Sequence, residues 1–472
     1  MNEPTGTEPF LPNSASARDR AFVLHPMTNL VQHAAEGPLI IARGDGIYIV
    51  DDQGRRFIEG VSGLWSVTLG FHNERLAEAA YRQMLELPSY HMFRFKSHPT
   101  AIELAERLIA LSPVPMSKVF FANSGSEAND TAVKLAWYYN NALGRGAKKK
   151  IIARRGGYHG VGIGSGSLTG LDRNHRDFDL PIAGFLHTEM PHHWRYGLAS
   201  ESEEAFATRL ADNLEQLILA EGPDTVAAFI AEPVMGTGGI ILPPKTYFEK
   251  IQAVLRRHDV LFIVDEVICG FGRLGDMFGC QTFGLKPDII TMAKGLSSGY
   301  LPISAVLVSE KIYRACLDES SKIGVFGHGF TYSGHPVCSA VAVEALKIYA
   351  ETDIVGHVRK VAPVLQEGLR GFAGHPLVGE VRGIGLMGGL ELVQDKASKT
   401  PFAPELNVGL YIERRCQEHG AILRALGDTL TAAPPLIINA SEIEQILRIV
   451  GRALDETYDH ARKEGWISGT NS

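Results

Sequence analysis

Between about residues 75 and 335, short apolar runs of strand length alternate with amphipathic stretches of helix length. This alternation predicts an α/β fold of successive βαβ units, with a mostly parallel central sheet that helices cover on both faces. The chain has 472 residues, more than one hydrophobic core usually supports, so we expect a smaller domain beside the sheet. The apolar runs are residues 119–122, 151–153, 226–231, 260–264, 289–292 and 303–308.

The segments on either side of this region have different patterns. Residues 38–60 contain short β-branched runs separated by glycine-containing turns, which predicts a small antiparallel meander. Beyond residue 336 the pattern predicts helices at 337–351, 354–372, 408–419 and 441–463, with strands within 377–393. We expect residues 75–335 to form the large domain, and residues 1–74 and 336–472 to build a smaller α+β domain that shares a sheet. The first twenty residues predict a mobile, polar tail.

Charge and cysteine usage exclude several classes of protein. The formal net charge of −7 provides no basic surface for nucleic acid or an anionic membrane, so we expect small-molecule partners. The five cysteines are odd in number and contain no C-x-x-C pair, which argues against a disulfide framework and a zinc site. This cysteine pattern fits a reducing cytoplasm, where we expect the protein. The sequence also contains no secretory signal and no apolar run of membrane-spanning length.

Residues 123–127 read Asn-Ser-Gly-Ser-Glu and lie between a predicted strand and a predicted helix. Ligands of parallel sheets bind at the carboxyl ends of the strands, where this segment is expected. Backbone N–H groups at the helix start, with the hydroxyls of Ser124 and Ser126, suit a phosphate group. The same residues equally fit an ordinary serine cap with Glu127 behind it. The segment alone favours neither interpretation.

Asp265 and Lys294 each come at the end of a buried apolar run, 29 positions apart. That separation is about one strand-crossover-strand unit, so the two residues are expected on neighbouring strands at one edge of the sheet. Taken alone, Asp265 fits a helix cap, the more common role, or an anion that keeps a heterocycle's ring nitrogen protonated. A desolvated lysine such as Lys294 has a lowered pKa, and its neutral amine is a nucleophile for a carbonyl.

Four segments resemble, in order and spacing, the class III aminotransferases of fold type I, particularly the omega-amino acid–pyruvate branch. They are AEPVMGTGG at 231–239, LFIVDEVICGFGR at 261–273, DIITMAKGLSSGYLPISAV at 288–306 and FTYSGHP at 330–336. The likeness extends from about His25 to Leu436. It implies a large domain with a mostly parallel central sheet and a smaller α+β domain built from the N- and C-terminal segments.

The resemblance implies pyridoxal 5'-phosphate (PLP) as cofactor, held as a Schiff base on Lys294, with Asp265 paired to the pyridine nitrogen. Lys294, released by the incoming amine, would then act as the general base. Tyr158 would stack on one face of the ring, unless it packs in the core, and Val267 would lie behind the other face. The other implied cofactor-binding residues are Ser124, Gly125, Ser126, His159 and Glu232.

For the substrate, the resemblance places Arg424 where the family clamps a carboxylate, although a surface arginine on a strand fits the same sequence. Trp65, Phe93 and Phe330 would form apolar walls of the pocket. Arg94 would be a second anion contact, which favours donors with a distal acid such as β-alanine or taurine.

The implied activity is amino transfer from an amine or omega-amino acid to a keto acid, pyruvate foremost, with ping-pong kinetics. Thr331 would reach the phosphate of the neighbouring subunit, which predicts a homodimer or a dimer of dimers. The nearest alternative is a PLP-dependent decarboxylase or aminomutase of the same fold. A non-catalytic sugar- or cofactor-binding relative is a more distant one.

Two short motifs match other functions but stand in the wrong context. Residues 383–388 satisfy G-x-G-x-x-G, yet a strand-like sequence follows, whereas a dinucleotide site requires a helix. Residues 295–299 satisfy the G-x-S-x-G of serine hydrolases, again with a strand-like sequence behind them. The histidines, including His192 and His193, show no zinc-site spacing, so we expect no metal.

Overall fold

The computed structural model describes residues 13–467 and contains three β-sheets. One sheet has seven strands, and the other two have four strands each. The strands are β1 (Ile41–Asp45), β2 (Tyr48–Asp51), β3 (Arg56–Glu59), β4 (Lys118–Ala122), β5 (Lys150–Arg154), β6 (Phe185–Thr188), β7 (Val226–Ala231), β8 (Leu261–Asp265), β9 (Ile289–Met292), β10 (Ser304–Val308), β11 (Val378–Ile384), β12 (Met387–Leu392), β13 (Ala421–Ile422), β14 (Arg424–Leu426) and β15 (Thr429–Ala432).

Helices connect and cover these strands. They are α1 (Ala15–Phe22), α2 (Leu30–Glu36), α3 (Ser62–Trp65), α4 (Glu74–Glu86), α5 (Pro99–Leu111), α6 (Gly125–Ala142), α7 (Ile163–Leu168), α8 (His193–Tyr196), α9 (Glu203–Glu221), α10 (Tyr247–Arg257), α11 (Gly279–Phe283), α12 (Glu310–Ile323), α13 (Pro336–Glu351), α14 (Ile354–Gly371), α15 (Val408–Glu418) and α16 (Ala440–Lys463). Within residues 13–467, no helix combines the length and the apolar content that crossing a membrane requires.

The large sheet has the strand order β4-β10-β9-β8-β7-β5-β6. Strands β6, β5, β7, β8 and β9 pair in parallel, and β10 runs antiparallel to both of its neighbours. The prediction of a mostly parallel sheet is therefore confirmed. Every residue of β7, β8, β9 and β10 is buried, which is why these strands appear in the sequence as continuous apolar runs.

Two apolar clusters cover the two faces of this sheet. Ile263 of β8 packs in one cluster with residues of α6 and α12. Its neighbours Phe262 and Val264 point to the opposite face and pack in the other cluster with residues of α9 and α10. Alternate residues of one strand therefore fix helices on both faces, as the alternation of strands and helices predicts.

The meander predicted at residues 38–60 forms the antiparallel strands β1, β2 and β3. Strand β13 joins β3 in parallel, with Ala421 opposite Ile58. The N- and C-terminal segments therefore share a sheet, as expected. The third sheet has the order β11-β12-β15-β14, and residues 383–388 form its first hairpin turn rather than a dinucleotide loop. The domain boundaries at residues 75 and 335 stay a prediction.

The expectation of a polar tail over the first twenty residues is wrong for its last part. Helix α1 begins at Ala15, and Ser14 caps it by accepting a hydrogen bond from the Ala17 N–H at 3.1 Å. Asp19 in this helix also accepts hydrogen bonds from His25, beyond the helix end. Helix α1 lacks an apolar face, and the serine cap and the Asp19–His25 contact stabilise it instead. Residues 1–12 lie outside the described part of the chain.

Candidate active site

The structure brings Asp265 and Lys294 to the same edge of the large sheet. Asp265 is the last residue of β8 and pairs with Thr291 of β9, and Lys294 follows β9 two residues after its end. The prediction that both residues stand on neighbouring strands is confirmed. Glu266 points to the other side, where it accepts hydrogen bonds from the Gly279 and Cys280 N–H groups at the start of α11.

A cavity of about 190 Å³ opens at this edge of the sheet. Ten residues predicted from the sequence line it: Trp65, Gly125, Ser126, Tyr158, His159, Glu232, Asp265, Val267, Lys294 and Arg424. Eight further residues line it: Leu64 and Ala293 adjoin the predicted Trp65 and Lys294, and Met27, Asn129, Gly160, Thr237, Ile268 and Cys269 escaped the sequence analysis. The predicted residues Ser124, Phe93, Phe330 and Thr331 do not line the cavity, and neither does Arg94.

Three donors hold the Asp265 carboxylate. Oδ2 accepts hydrogen bonds from Asn129 Nδ2 and from His159 Nδ1, both at 2.8 Å, and Oδ1 accepts one from the Val267 N–H at 3.0 Å. Only the Val267 contact is local in sequence, as the capping interpretation predicts, whereas Asn129 and His159 come from distant segments. These three hydrogen bonds fix the position of the Asp265 carboxylate at the cavity wall.

Asn129 is fixed in its turn by further hydrogen bonds. Its Nδ2 also donates to the His159 carbonyl at 2.7 Å, and its Oδ1 accepts from Thr291 Oγ1 at 2.8 Å. It lies on the buried face of α6, one helical turn after Gly125. The sequence signal was an amide among Ala128, Ala132 and Ala136, where an apolar residue is expected.

Lys294 faces the cavity without a hydrogen-bonding partner among residues 13–467. Its Nζ lies 5.5 Å from the centre of the Trp65 ring. Burial lowers the pKa of its ammonium to about 8, against the opposing effect of the Asp265 and Glu232 carboxylates. A substantial fraction of the amine is consequently neutral near physiological pH, which is the form that attacks a carbonyl.

The start of α6 offers backbone donors to the cavity. Ser124 caps this 18-residue helix by accepting from the Glu127 N–H, so the capping interpretation describes its hydroxyl. The Gly125 and Ser126 N–H groups donate to no described residue and stand at the positive end of the helix dipole. A Cβ atom on Gly125 would lie 3.1 Å from a methyl group of Val267, so a glycine fits this close approach.

Glu232 holds the loop that carries Tyr158. Its Oε1 accepts a hydrogen bond from the Tyr158 N–H at 3.0 Å, and its Oε2 accepts one from the Gly236 N–H at 2.9 Å. The side chain is buried, and burial raises the pKa of its carboxyl. Glu232 thus positions the tyrosine loop through the backbone, in keeping with the supporting role that the resemblance implies.

Arg424 begins strand β14 and reaches the same cavity from the C-terminal part of the chain. Its Cζ lies 5.9 Å from the centre of the Trp65 ring, so that the indole adjoins both Arg424 and Lys294. No described carboxylate lies within ion-pair distance of the guanidinium, and burial lowers its pKa against the opposing attraction of the Glu413 carboxylate. An unpaired, half-buried guanidinium is suited to bind a carboxylate ligand.

A family model described as aminotransferase class-III matches residues 31–454 of this chain. The chain belongs to the class III aminotransferases. A relative from Solanum lycopersicum, named gamma aminobutyrate transaminase 3, chloroplastic, is 50% identical over 96% of this chain and 88% of its own length. A vanillin aminotransferase from Capsicum annuum is 54% identical over 89% of this chain and 92% of its own length.

Solved structures agree with this assignment. The crystal structure of an omega transaminase from Pseudomonas jessenii in complex with PMP has a TM-score of 0.94 and 56% identity, covering 95% of this chain and 99% of that one. The aminotransferase therefore has PLP fold type I and is PLP-dependent, and the sequence-based assignments of family, fold and cofactor are confirmed.

The residues of the cavity fit PLP. Asp265 offers an anchored carboxylate, Lys294 an amine without a hydrogen-bonding partner among the described residues, and the start of α6 two backbone N–H groups without described acceptors. His159 Nε2 and Trp65 Nε1 are also buried without a partner among the described residues. A site with this many unsatisfied polar groups indicates a polar ligand, because buried polar groups are normally hydrogen-bonded.

Phe93, Phe330 and Thr331 lie together outside the cavity. Phe93 is 43% exposed and packs beside Gly329, where an added Cβ would lie 2.9 Å from its ring. Thr331 is exposed, and Phe330 stacks edge-on against His328 with ring centres 5.3 Å apart. A single chain therefore does not bring these three residues to Lys294.

Proposed function

We propose that this aminotransferase moves an amino group from an amine or omega-amino acid to a small keto acid, with pyruvate as the principal acceptor. The observation that carries this proposal is the unpaired Arg424 guanidinium, which shares one cavity and one indole neighbour with Lys294. A keto acid whose carboxylate pairs with Arg424 would have its carbonyl directed into the cavity that Lys294 lines. The exchange would follow ping-pong kinetics, because donor and acceptor use the same site in turn.

The cavity residues would have different roles in this reaction. Bound PLP supplies an electron sink for the bond that breaks at the substrate carbon. Asp265, held by Asn129 and His159, would keep the ring nitrogen protonated. Lys294 would carry the cofactor and then, as a neutral amine, move the proton. Tyr158 and Val267 would confine the ring, and Gly125 with Ser126 would bind the phosphate.

The donor class is proposed from the cavity and from what similar proteins are called. The relatives are named for gamma-aminobutyrate and vanillin, and the solved structures are described as omega transaminases. Some of the compounds in these names carry a carboxylate beyond the reacting centre, and others do not. Arg424 would bind the carboxylate of an omega-amino acid in one half-reaction and that of the keto acid in the other. Arg94, which is exposed outside the cavity, gives no support for a second anion contact within one chain.

We propose that the active unit is a homodimer or a dimer of dimers. Phe93, Phe330 and Thr331 sit on an exposed aromatic surface that also includes Tyr90 at 43% and Tyr332 at 62% exposure. An apolar surface of this kind commonly marks an interface between subunits. Across such an interface Thr331 would reach the phosphate bound by the partner subunit.

We propose a cytoplasmic location, or another reducing compartment. All five cysteines are free thiols, four of them buried. Plant relatives are named chloroplastic or mitochondrial, so fractionation of the source cells is the direct test. Enzyme found only in an organelle fraction would overturn the cytoplasmic assignment.

A panel of donors against pyruvate and 2-oxoglutarate tests the proposed function. We expect steady alanine formation from pyruvate with gamma-aminobutyrate, β-alanine and a carboxylate-free aromatic amine, and little glutamate from 2-oxoglutarate. Release of carbon dioxide, or a positional isomer of the donor without any alanine, would instead show a decarboxylase or an aminomutase. Faster turnover with 2-oxoglutarate than with pyruvate would overturn the acceptor assignment alone.

A further inference from the structure

Three side chains of the N-terminal segment converge at a point that the catalytic site does not use. Asp19 of α1 lies 2.9 Å through Oδ1 from His25 Nε2 and 3.2 Å through the same atom from His33 Nε2 of α2. The ligand atoms of the three residues all lie within 4.8 Å of one another. The two imidazole rings are 4.1 Å apart between centres. This cluster is called the Asp19 cluster below.

One nitrogen of the Asp19 cluster is left without a hydrogen bond. His25 Nε2 is bonded to both Asp19 oxygens, at 2.9 and 3.0 Å. The His33 side chain is only 9% exposed, and its Nε2 is buried without a hydrogen-bonding partner among residues 13–467. This nitrogen lies 3.2 Å from Asp19 Oδ1 without making a hydrogen bond, whereas a buried ring nitrogen normally has a hydrogen-bonding partner or a bound ion.

A divalent transition-metal ion satisfies all three residues at once. In tetrahedral zinc sites the ligand bonds are about 2.0–2.2 Å, which puts the ligand atoms about 3.3 Å apart. The separations of 2.9 and 3.2 Å from Asp19 Oδ1 are already close to that spacing. Imidazole nitrogens with one carboxylate oxygen are a donor set that suits zinc. His25, at 26% exposure, leaves room for a water ligand.

A second cluster of similar composition shows what excludes a metal. His192, Glu380 and Glu391 also bring three potential ligand atoms together. There, however, Arg382 Nη1 pairs with both carboxylates, at 2.6 and 2.5 Å. The charges of those two carboxylates are balanced by Arg382 together with Arg195, which pairs with Glu391 at 2.5 Å. No arginine or lysine among the described residues forms an ion pair with Asp19 in the Asp19 cluster.

We propose that Asp19, His25 and His33 bind a divalent transition-metal ion of the zinc class, with water completing its coordination. The ion ties α1 to α2, neither of which buries a residue of its own. Met27 lies on the connection between these helices and lines the catalytic cavity. The metal therefore fixes the segment that carries Met27 into the substrate site.

The spacing explains why local sequence patterns do not indicate this site. Its residues are six and eight positions apart along an irregular connection, unlike the short repeats of structural zinc motifs. The proposal does not depend on the identity of the donor or of the keto acid.

Calorimetric titration of the holoenzyme with zinc chloride tests the proposal, using full-length protein without an affinity tag that was first dialysed against a chelator. We expect one zinc ion per chain for the wild type and at least tenfold weaker binding for His33→Ala. Asp19→Asn, which keeps the size of the side chain, should weaken binding similarly. His375→Ala is the matched control, because His375 faces Asp455 at 3.6 Å without a second imidazole. This variant should bind zinc as the wild type does.

Limited trypsin digestion provides an independent readout of the same ion. Arg18 lies in α1, and we expect zinc to slow cleavage after it severalfold in the wild type but not in His33→Ala. Absence of stoichiometric binding in the wild type would overturn the proposal. So would zinc binding that is unchanged in both His33→Ala and Asp19→Asn, since the ion would then lie elsewhere.

Discussion

Replacing Arg424 by methionine tests the carboxylate-binding function of the cavity. The guanidinium is half-buried and is attracted by Glu413, but no described carboxylate lies within ion-pair distance, so a substrate carboxylate would form its first direct ion pair. Removing one member of a buried charge pair costs about 2–5 kcal/mol. Because Arg424 is partly exposed, solvent screening favours the lower end, about 2–3 kcal/mol. At about 1.4 kcal/mol per factor of ten, kcat/KM for pyruvate should fall about 30- to 150-fold.

The assay separates this effect from general damage. The half-reaction with a carboxylate-free aromatic amine should slow much less than the half-reaction with pyruvate, since that donor does not need the guanidinium. Thermal stability of Arg424→Met should stay close to that of the wild type, because the removed cost of burying the guanidinium is offset by the lost attraction to Glu413. Arg452→Met, on the exposed face of α16 and 67% exposed, is the matched control and should leave both half-reactions unchanged. A kcat/KM for pyruvate close to that of the wild type would refute the role of Arg424.

Three further predictions address the rest of the site and the fold. Asn129→Leu removes one of three donors to Asp265 and should weaken PLP binding about tenfold or more in a fluorescence titration. The control Asn140→Leu, a buried change in the same helix, should leave PLP affinity unchanged. Equal effects of the two substitutions would contradict the role of the Asn129–Asp265 hydrogen bond. Because burial lowers the pKa of Lys294 to about 8, recovery of activity on adding PLP to the apoenzyme should accelerate as pH rises to about 8 and then level off; a flat profile would contradict the neutral-amine requirement. Burial raises the pKa of Glu59 from 4.5 to about 7, so the folded state holds the proton more tightly and the free energy of unfolding falls as pH rises through this range. In urea unfolding, Glu59→Gln should remove about 3 kcal/mol of this fall. A pH dependence equal to that of the wild type would refute the buried, protonated state of Glu59.

The sequence predicts those parts of the molecule that depend on local pattern. Strands β7, β8 and β9 are recognisable because burial on both faces requires continuous apolar residues. Asp265 and Lys294 are recognisable because burying a charged group at the end of an apolar strand is unfavourable unless that group has a partner or a ligand. Strand β6 was missed, since it has only four residues, one of them His187, at the edge of the sheet.

Contacts between distant segments are beyond the reach of local patterns. Met27 and Arg424 line one cavity although almost the whole chain separates them. Asn129 looks like an ordinary helix residue until the fold places β8 beside it and its amide bonds to Asp265. Thr331 lies on an exposed surface, and its proposed contact with a cofactor requires a second chain, which local patterns do not describe.

The central claim is that Lys294 carries the cofactor. Borohydride reduction of the PLP-bound enzyme, followed by proteolysis and mass spectrometry, tests it most directly. We expect a pyridoxyl group on the peptide that contains Lys294, and no labelling in Lys294→Ala. An adduct on a different lysine, or none at all in protein that retains PLP, would contradict the account.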